Sequence, residues 1–116
     1  MNHLQRVDYP RDKLEVMVID AGSTDGSIDI VKKFSSPEVR QIVEEGCSEA
    51  EGQSLGVRLS KGEVIMFTNS DIYVQPDWIQ KHVEWLLKGF DLVGGTVFWG
   101  ESAIDGLGIA VSNTVR

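Results

Sequence analysis

Two apolar runs, Glu15–Asp20 and Glu63–Thr68, lack the polar alternation of a half-solvated strand and stop abruptly in turn-prone residues. Runs of this kind are expected of strands buried on both faces of a parallel sheet. The first stops at Ala21-Gly22-Ser23-Thr24-Asp25-Gly26 and the second at Asn69-Ser70-Asp71. Each therefore delivers an aspartate, Asp20 or Asp71, to the carboxyl end of a strand, where open α/β sheets place their ligand crevices.

The segments between these runs carry helix signals. Thr24 or Asp25 can cap a helix whose apolar side is Ile28, Val31 and Phe34, ended by Ser35-Ser36-Pro37. A short strand is expected at Val39–Val43. Ser48 followed by Glu51 makes a capping box for a helix through Ser60, stopped by Gly62. Within it, Gly52 and Gly56 share one face; each costs about 1 kcal/mol relative to Ala, which close backbone packing against a strand would offset. Pro76 at a first helical position, Asp77 in the first turn, Ile79, Val83 and Leu86 on one side and Lys88-Gly89 as a stop define a third helix. Trp78, His82 and Trp85 lie on an adjoining side, where packing is the expected role. Asp91–Trp99, interrupted by Gly94-Gly95, reads as another strand, and Gly108–Ser112 as a short edge strand. Alternating strands and helices predict an α/β fold, a mainly parallel sheet with flanking helices, as one domain over residues 1–116.

With 41% hydrophobic and 25% charged residues, the chain has the composition of a globular protein with a core. Eleven basic against eighteen acidic residues give a net charge of -7 without any basic stripe, which argues against nucleic-acid binding. An anionic ligand would need a divalent cation or backbone N–H groups to approach such a surface. The single Cys47 has no internal disulfide partner and no companions for structural zinc, so the reading is cytoplasmic. No apolar signal core or membrane-length apolar run is present, so membrane association is expected only through parts outside this chain.

At the second strand end, Asn69 and Asp71 offer oxygen ligands at i and i+2, suited to a hard cation such as Mg²⁺ or Mn²⁺ shared with substrate phosphates. The first loop is neither a dinucleotide fingerprint nor a P-loop. Alone, Asp20 and Asp71 each read as strand-end turn formers; as a pair at two strand ends they point to a ligand.

Val18-Ile19-Asp20-Ala21-Gly22-Ser23-Thr24-Asp25-Gly26-Ser27 resembles the "VVDDGSTDGT" segment of family 2 glycosyltransferases, and Lys61–Asp71 resembles their "G-E-hydrophobic-F-x-D-x-D" strand. Pro76-Asp77-Trp78-Ile79 and Tyr9-Pro10 fit the same family in the same order. The resemblance implies a partial, inverting GT-A (nucleotide-diphospho-sugar transferase, Rossmann-like) domain. It implies that Asp20 binds the base or ribose of a nucleotide-diphosphate sugar, with Gly22 and Ser23 shaping the loop. Asp71, helped by Asn69, would hold a divalent metal on the diphosphate, and Gly94 and Gly95 would border an unidentified acceptor.

The departures have consequences. Ala21 replaces the second acidic residue of the usual pair, Asn69 replaces the first aspartate of the metal motif, and Gln53-Ser54 stands where the family often has Arg-Asn. The resemblance also implies a first strand ahead of this chain and an acidic general base beyond it, so no catalytic residue is assigned and the isolated fragment is expected to be inactive. A missing central strand predicts a homo-oligomer completing the sheet, a non-native pairing or low stability. Two other readings are a non-catalytic scaffold module derived from the same fold, favoured by Ala21 and Asn69, and a flavodoxin-like α/β domain unrelated to sugars.

Overall fold

The computed structural model describes residues 4–34 and 36–95. They divide into two compact units, one spanning Pro10–Gly62 and the other formed by residues 4–9 and 63–95.

The first unit is a β-α-β-α sequence: β1 (Val16–Asp20), α1 (Ser27–Lys32), β2 (Val39–Val43) and α2 (Glu49–Leu59). The strands are parallel, in register from Val16 opposite Val39 to Asp20 opposite Val43. This is the parallel pairing and helix alternation expected of the fold class. β1 differs from expectation in one respect: all five residues are half-buried. Its sheet has two strands among the described residues, so each strand keeps an unpaired edge.

α2 is fixed at its start by the anticipated capping box. Ser48 Oγ accepts from the Glu51 amide, and the Glu51 carboxylate accepts from the Ser48 amide at 2.8 Å. Along its buried face, Gly52 and Gly56 let the backbone lie against β1. A methyl group built on Gly56 would stand 3.2 Å from Ile19 Cδ1, and one on Gly52 3.5 Å from Ile19 Cγ2. A surface tie closes the far corner, where Arg40 meets Glu15 at 2.6 Å and donates to the Leu59 carbonyl at 3.0 Å.

α1 is shorter than its sequence suggests and begins two residues after Asp25. Gly26 is the N-cap, in the left-handed region at φ 88°, and has no side chain with which to cap. Only Val31 of this helix is buried.

The second unit is organised by α3 (Trp78–Leu87), with Asp77 at its N-cap and Gly89, at φ 100°, just past its end. Pro76 therefore precedes the helix instead of opening it. The buried stripe is Trp78, Ile79, His82 and Leu86, which Val7 and Val74 join in the core; Val83 is only half-buried. The Asp8 amide bonds the Pro76 carbonyl at 2.7 Å, tying the N-terminal segment in. His82 Nδ1 lies 2.7 Å from the Trp78 carbonyl and its ring meets Trp78 edge-on, so these two side chains pack as expected.

Two expected strands in this unit need correction. Residues 63–68 form no strand, with only an isolated bridge position at Ile65, although 64–68 are half-buried. An apolar run reports burial; a strand also needs a neighbour to complete its hydrogen-bond ladder, and among the described residues none does. Residues 91–95 are likewise irregular. The rest of that expected strand, 96–99, and the edge strand at 108–112 lie outside the described residues. Among those described, no helix is long and apolar enough to cross a membrane.

Candidate functional site

At the carboxyl end of β1 the chain turns back on the side chain of Asp20. Its Oδ1 accepts from the Gly22 amide at 2.8 Å and the Ser23 amide at 2.6 Å. The turn needs a left-handed residue at position 22, and Gly22 supplies φ 98°. A side chain there would also approach Glu45, whose Cγ lies 3.4 Å from the position of an added methyl. The loop after β2 is laid alongside: the Glu44 amide donates to the Asp20 carbonyl and the Gly46 amide to the Ala21 carbonyl, both at 2.9 Å.

The Ser23 amide, foremost, and that of Gly22 stabilise the Asp20 carboxylate and hold its pKa below the usual range, against desolvation and the nearby charge of Asp25. Asp25 is lowered by the hydroxyl and amide of Ser27, Glu38 by the Ser36 hydroxyl, Glu51 by the Ser48 amide and hydroxyl, and Asp77 by Lys81. A carboxyl whose folded pKa is depressed stabilises the fold above its unfolded value and loses that contribution as pH falls through the folded one. Stability should therefore be flat near neutrality and fall below roughly pH 4. Urea unfolding midpoints measured from pH 7 down to strong acid check this, and a midpoint that does not fall in acid contradicts it.

The structure thus brings Asp20, Gly22 and Ser23 into one turn. The bland expectation for Asp20, a strand-end turn former, describes its Oδ1 correctly. The second carboxylate oxygen receives neither amide.

In the second unit, Asn69 and Asp71 sit in an exposed turn in which the Ile72 amide reaches the Asn69 carbonyl at 3.3 Å. Neither side chain has a hydrogen-bond or ion-pair partner among the described residues. An amide oxygen and a carboxylate are the type of donor that Mg²⁺ and Mn²⁺ take. They do not make a closed protein cage: no group of three His, Cys, Asp or Glu residues is assembled among the described residues.

Gly94 and Gly95 line an open pocket of about 440 Å³ together with His82, Trp85, Phe90 and Leu92. Trp85 was expected to pack sooner than to stack on a ligand. It does pack, edge-on with Phe90 at 5.6 Å and with the Lys88 ammonium 4.0 Å from its ring centre, while staying half exposed. Helical spacing placed it correctly on the helix but could not show that its neighbours leave a hollow. A second open cleft, about 570 Å³, lies in the first unit between the Glu44–Cys47 loop and the Ser54 and Arg58 side of α2, and none of the expected site residues lines it.

Comparison with known proteins decides the family. The model of glycosyl transferase family 2 matches residues 2–108. The chain belongs to that family.

This family 2 chain is 31% identical over 104 residues to the glycosyltransferase AglE of Haloferax volcanii, a match covering 84% of the chain and 33% of AglE. It is 30% identical over 99 residues to the undecaprenyl-phosphate 4-deoxy-4-formamido-L-arabinose transferase of Aeromonas hydrophila, covering 78% of the chain and 30% of that protein. It is 26% identical over 83 residues to the poly(ribitol-phosphate) beta-N-acetylglucosaminyltransferase TarS of Staphylococcus aureus, covering 69% of the chain and 14% of TarS. The family 2 chain therefore spans a third or less of the length of these relatives. No solved structure gives a significant match. The parallel strand pair with flanking helices agrees with part of an α/β GT-A domain.

Proposed function

We propose that this chain carries the donor-binding residues of a glycosyltransferase that moves a sugar from a nucleotide diphosphate to an acceptor. The observation that supports the reading most is the Asp20 turn. A carboxylate at the end of a parallel strand is locked by two amides and kept ionised, with a glycine removing side-chain bulk beside it. A fixed carboxylate of this kind suits the hydroxyls of a ribose or the N–H edge of a base.

In this reading Asp20 of the first unit serves the nucleoside, and in the second unit Asp71 with Asn69 serves a divalent cation of the kind a diphosphate carries. That cation supplies Lewis-acid neutralisation of the leaving diphosphate. Asn69 offers a neutral carbonyl oxygen in place of a carboxylate, so the site depends on one charged ligand and on the phosphates themselves. Gly94 and Gly95 border the acceptor, whose chemistry the sequence leaves open. The chain works in the cytoplasm, where a lone thiol such as Cys47 stays reduced.

Calorimetric titration of the chain with uridine diphosphate and guanosine diphosphate, with and without Mn²⁺, tests the reading. Saturable binding strengthened by Mn²⁺ is expected for one of them. No binding of either, with or without the metal, would favour the scaffold reading that Ala21 and Asn69 also suit.

A further inference from the structure

We propose that Asp25 is a positioning residue: it holds the far end of the 21–26 loop and so sets the geometry in which Asp20 meets a donor nucleotide. The second half of this statement rests on the function proposed above; the first half stands on the loop itself.

The loop joins β1 to α1 and is clamped at both ends by an aspartate. Asp20 Oδ1 takes the amides of Gly22 and Ser23 at the β1 end. At the α1 end, Asp25 Oδ1 takes the Ser27 amide at 3.0 Å and the Ser27 hydroxyl at 2.6 Å. This second clamp supplies what the helix lacks. The N-cap position is Gly26, left-handed and without a capping side chain, so the residue before it satisfies the first helical amide instead. α1 has only six residues and buries one side chain, so little else fixes where it starts.

Asp25 also has a cost, because its charge opposes that of Asp20. An acceptor oxygen is all the clamp requires, and asparagine has one. The role therefore makes a prediction that separates positioning from charge.

The experiment is amide hydrogen exchange of the 116-residue chain, with the diphosphate titration in parallel. In Asp25→Ala, exchange at Gly22 and Ser23 should quicken about tenfold as the turn opens more often, and affinity for the bound diphosphate should fall about five- to tenfold, while β1 and β2 amides stay protected. Asp25→Asn should stay within about twofold of the parent in both readouts, because its oxygen keeps the clamp. Ser27→Ala, which removes only the hydroxyl and keeps the amide, should quicken exchange by an intermediate factor and serves if the alanine variant of Asp25 does not fold. Unchanged Gly22 and Ser23 exchange in Asp25→Ala, or in Ser27→Ala where that variant stands in, overturns the proposal. So does an asparagine variant as impaired as alanine. If the parent binds neither diphosphate, the functional reading fails on that count alone and the exchange data still decide the loop role.

Discussion

Gly56→Leu should lower the stability of the first unit by about 2 kcal/mol, whereas Gly56→Ala should leave it unchanged or raise it slightly. The arithmetic turns on one contact. Alanine or leucine in place of Gly56 gains about 1 kcal/mol of helix propensity. The added methyl of alanine meets Ile19 Cδ1 at 3.2 Å, the far end of a flexible side chain, which can give by a few tenths of an ångström. Leucine adds three further carbons where α2 already lies on β1, and overpacking of that size costs about 3 kcal/mol. Propensity wins for alanine and sterics win for leucine. Amide exchange across β1 and β2 reports this event: a leucine variant as protected as the parent would show that α2 is not seated on Ile19.

That contact was legible in the sequence, because two glycines four apart in an otherwise ordinary helix pattern require a reason and close packing is the commonest one. The capping box at Ser48 and Glu51 was equally legible, since both partners lie within one turn and no tertiary context is needed to make it. β2 was placed residue for residue at Val39–Val43. The run at 63–68 misled for the opposite reason. Its apolar character was read correctly as burial, but a strand is a property of two segments and the sequence shows only one. α1 misled at its start because Asp25 does bond the helix, yet from outside the cap, across a left-handed glycine whose conformation is not written in residue type.

The site divides in the same way. The turn of Asp20, Gly22 and Ser23 is local, so the motif gave its geometry. Asn69 and Asp71 were singled out by spacing and chemistry, and neither side chain has a hydrogen-bond or ion-pair partner among the described residues. Trp85 was read as a packing residue and does pack on Phe90, but helical spacing alone could not show that half of the ring stays exposed.

Asp71→Ala should abolish the effect of Mn²⁺ on nucleoside diphosphate binding while leaving the fold intact. The side chain is exposed and without a partner among the described residues, so the substitution should change stability by no more than about 0.5 kcal/mol. Its effect on the ligand should be much larger. With Asn69 alone the cation keeps a single neutral protein oxygen, and affinity in Mn²⁺ should fall at least about tenfold, or 1.4 kcal/mol. Asp20→Asn, which keeps the oxygen that closes the turn but removes the charge, should weaken binding with or without the metal. The two substitutions then separate nucleoside recognition from diphosphate recognition.

The decisive measurement is the Mn²⁺ dependence of diphosphate affinity in the parent and in Asp71→Ala, by calorimetry on the same preparations whose folding has been checked. Affinity that rises with Mn²⁺ in the parent and is indifferent to it in the variant is the predicted result. A variant that keeps the parent's full response to the metal would contradict the assignment of the cation to Asp71, and with it the donor site proposed for this chain.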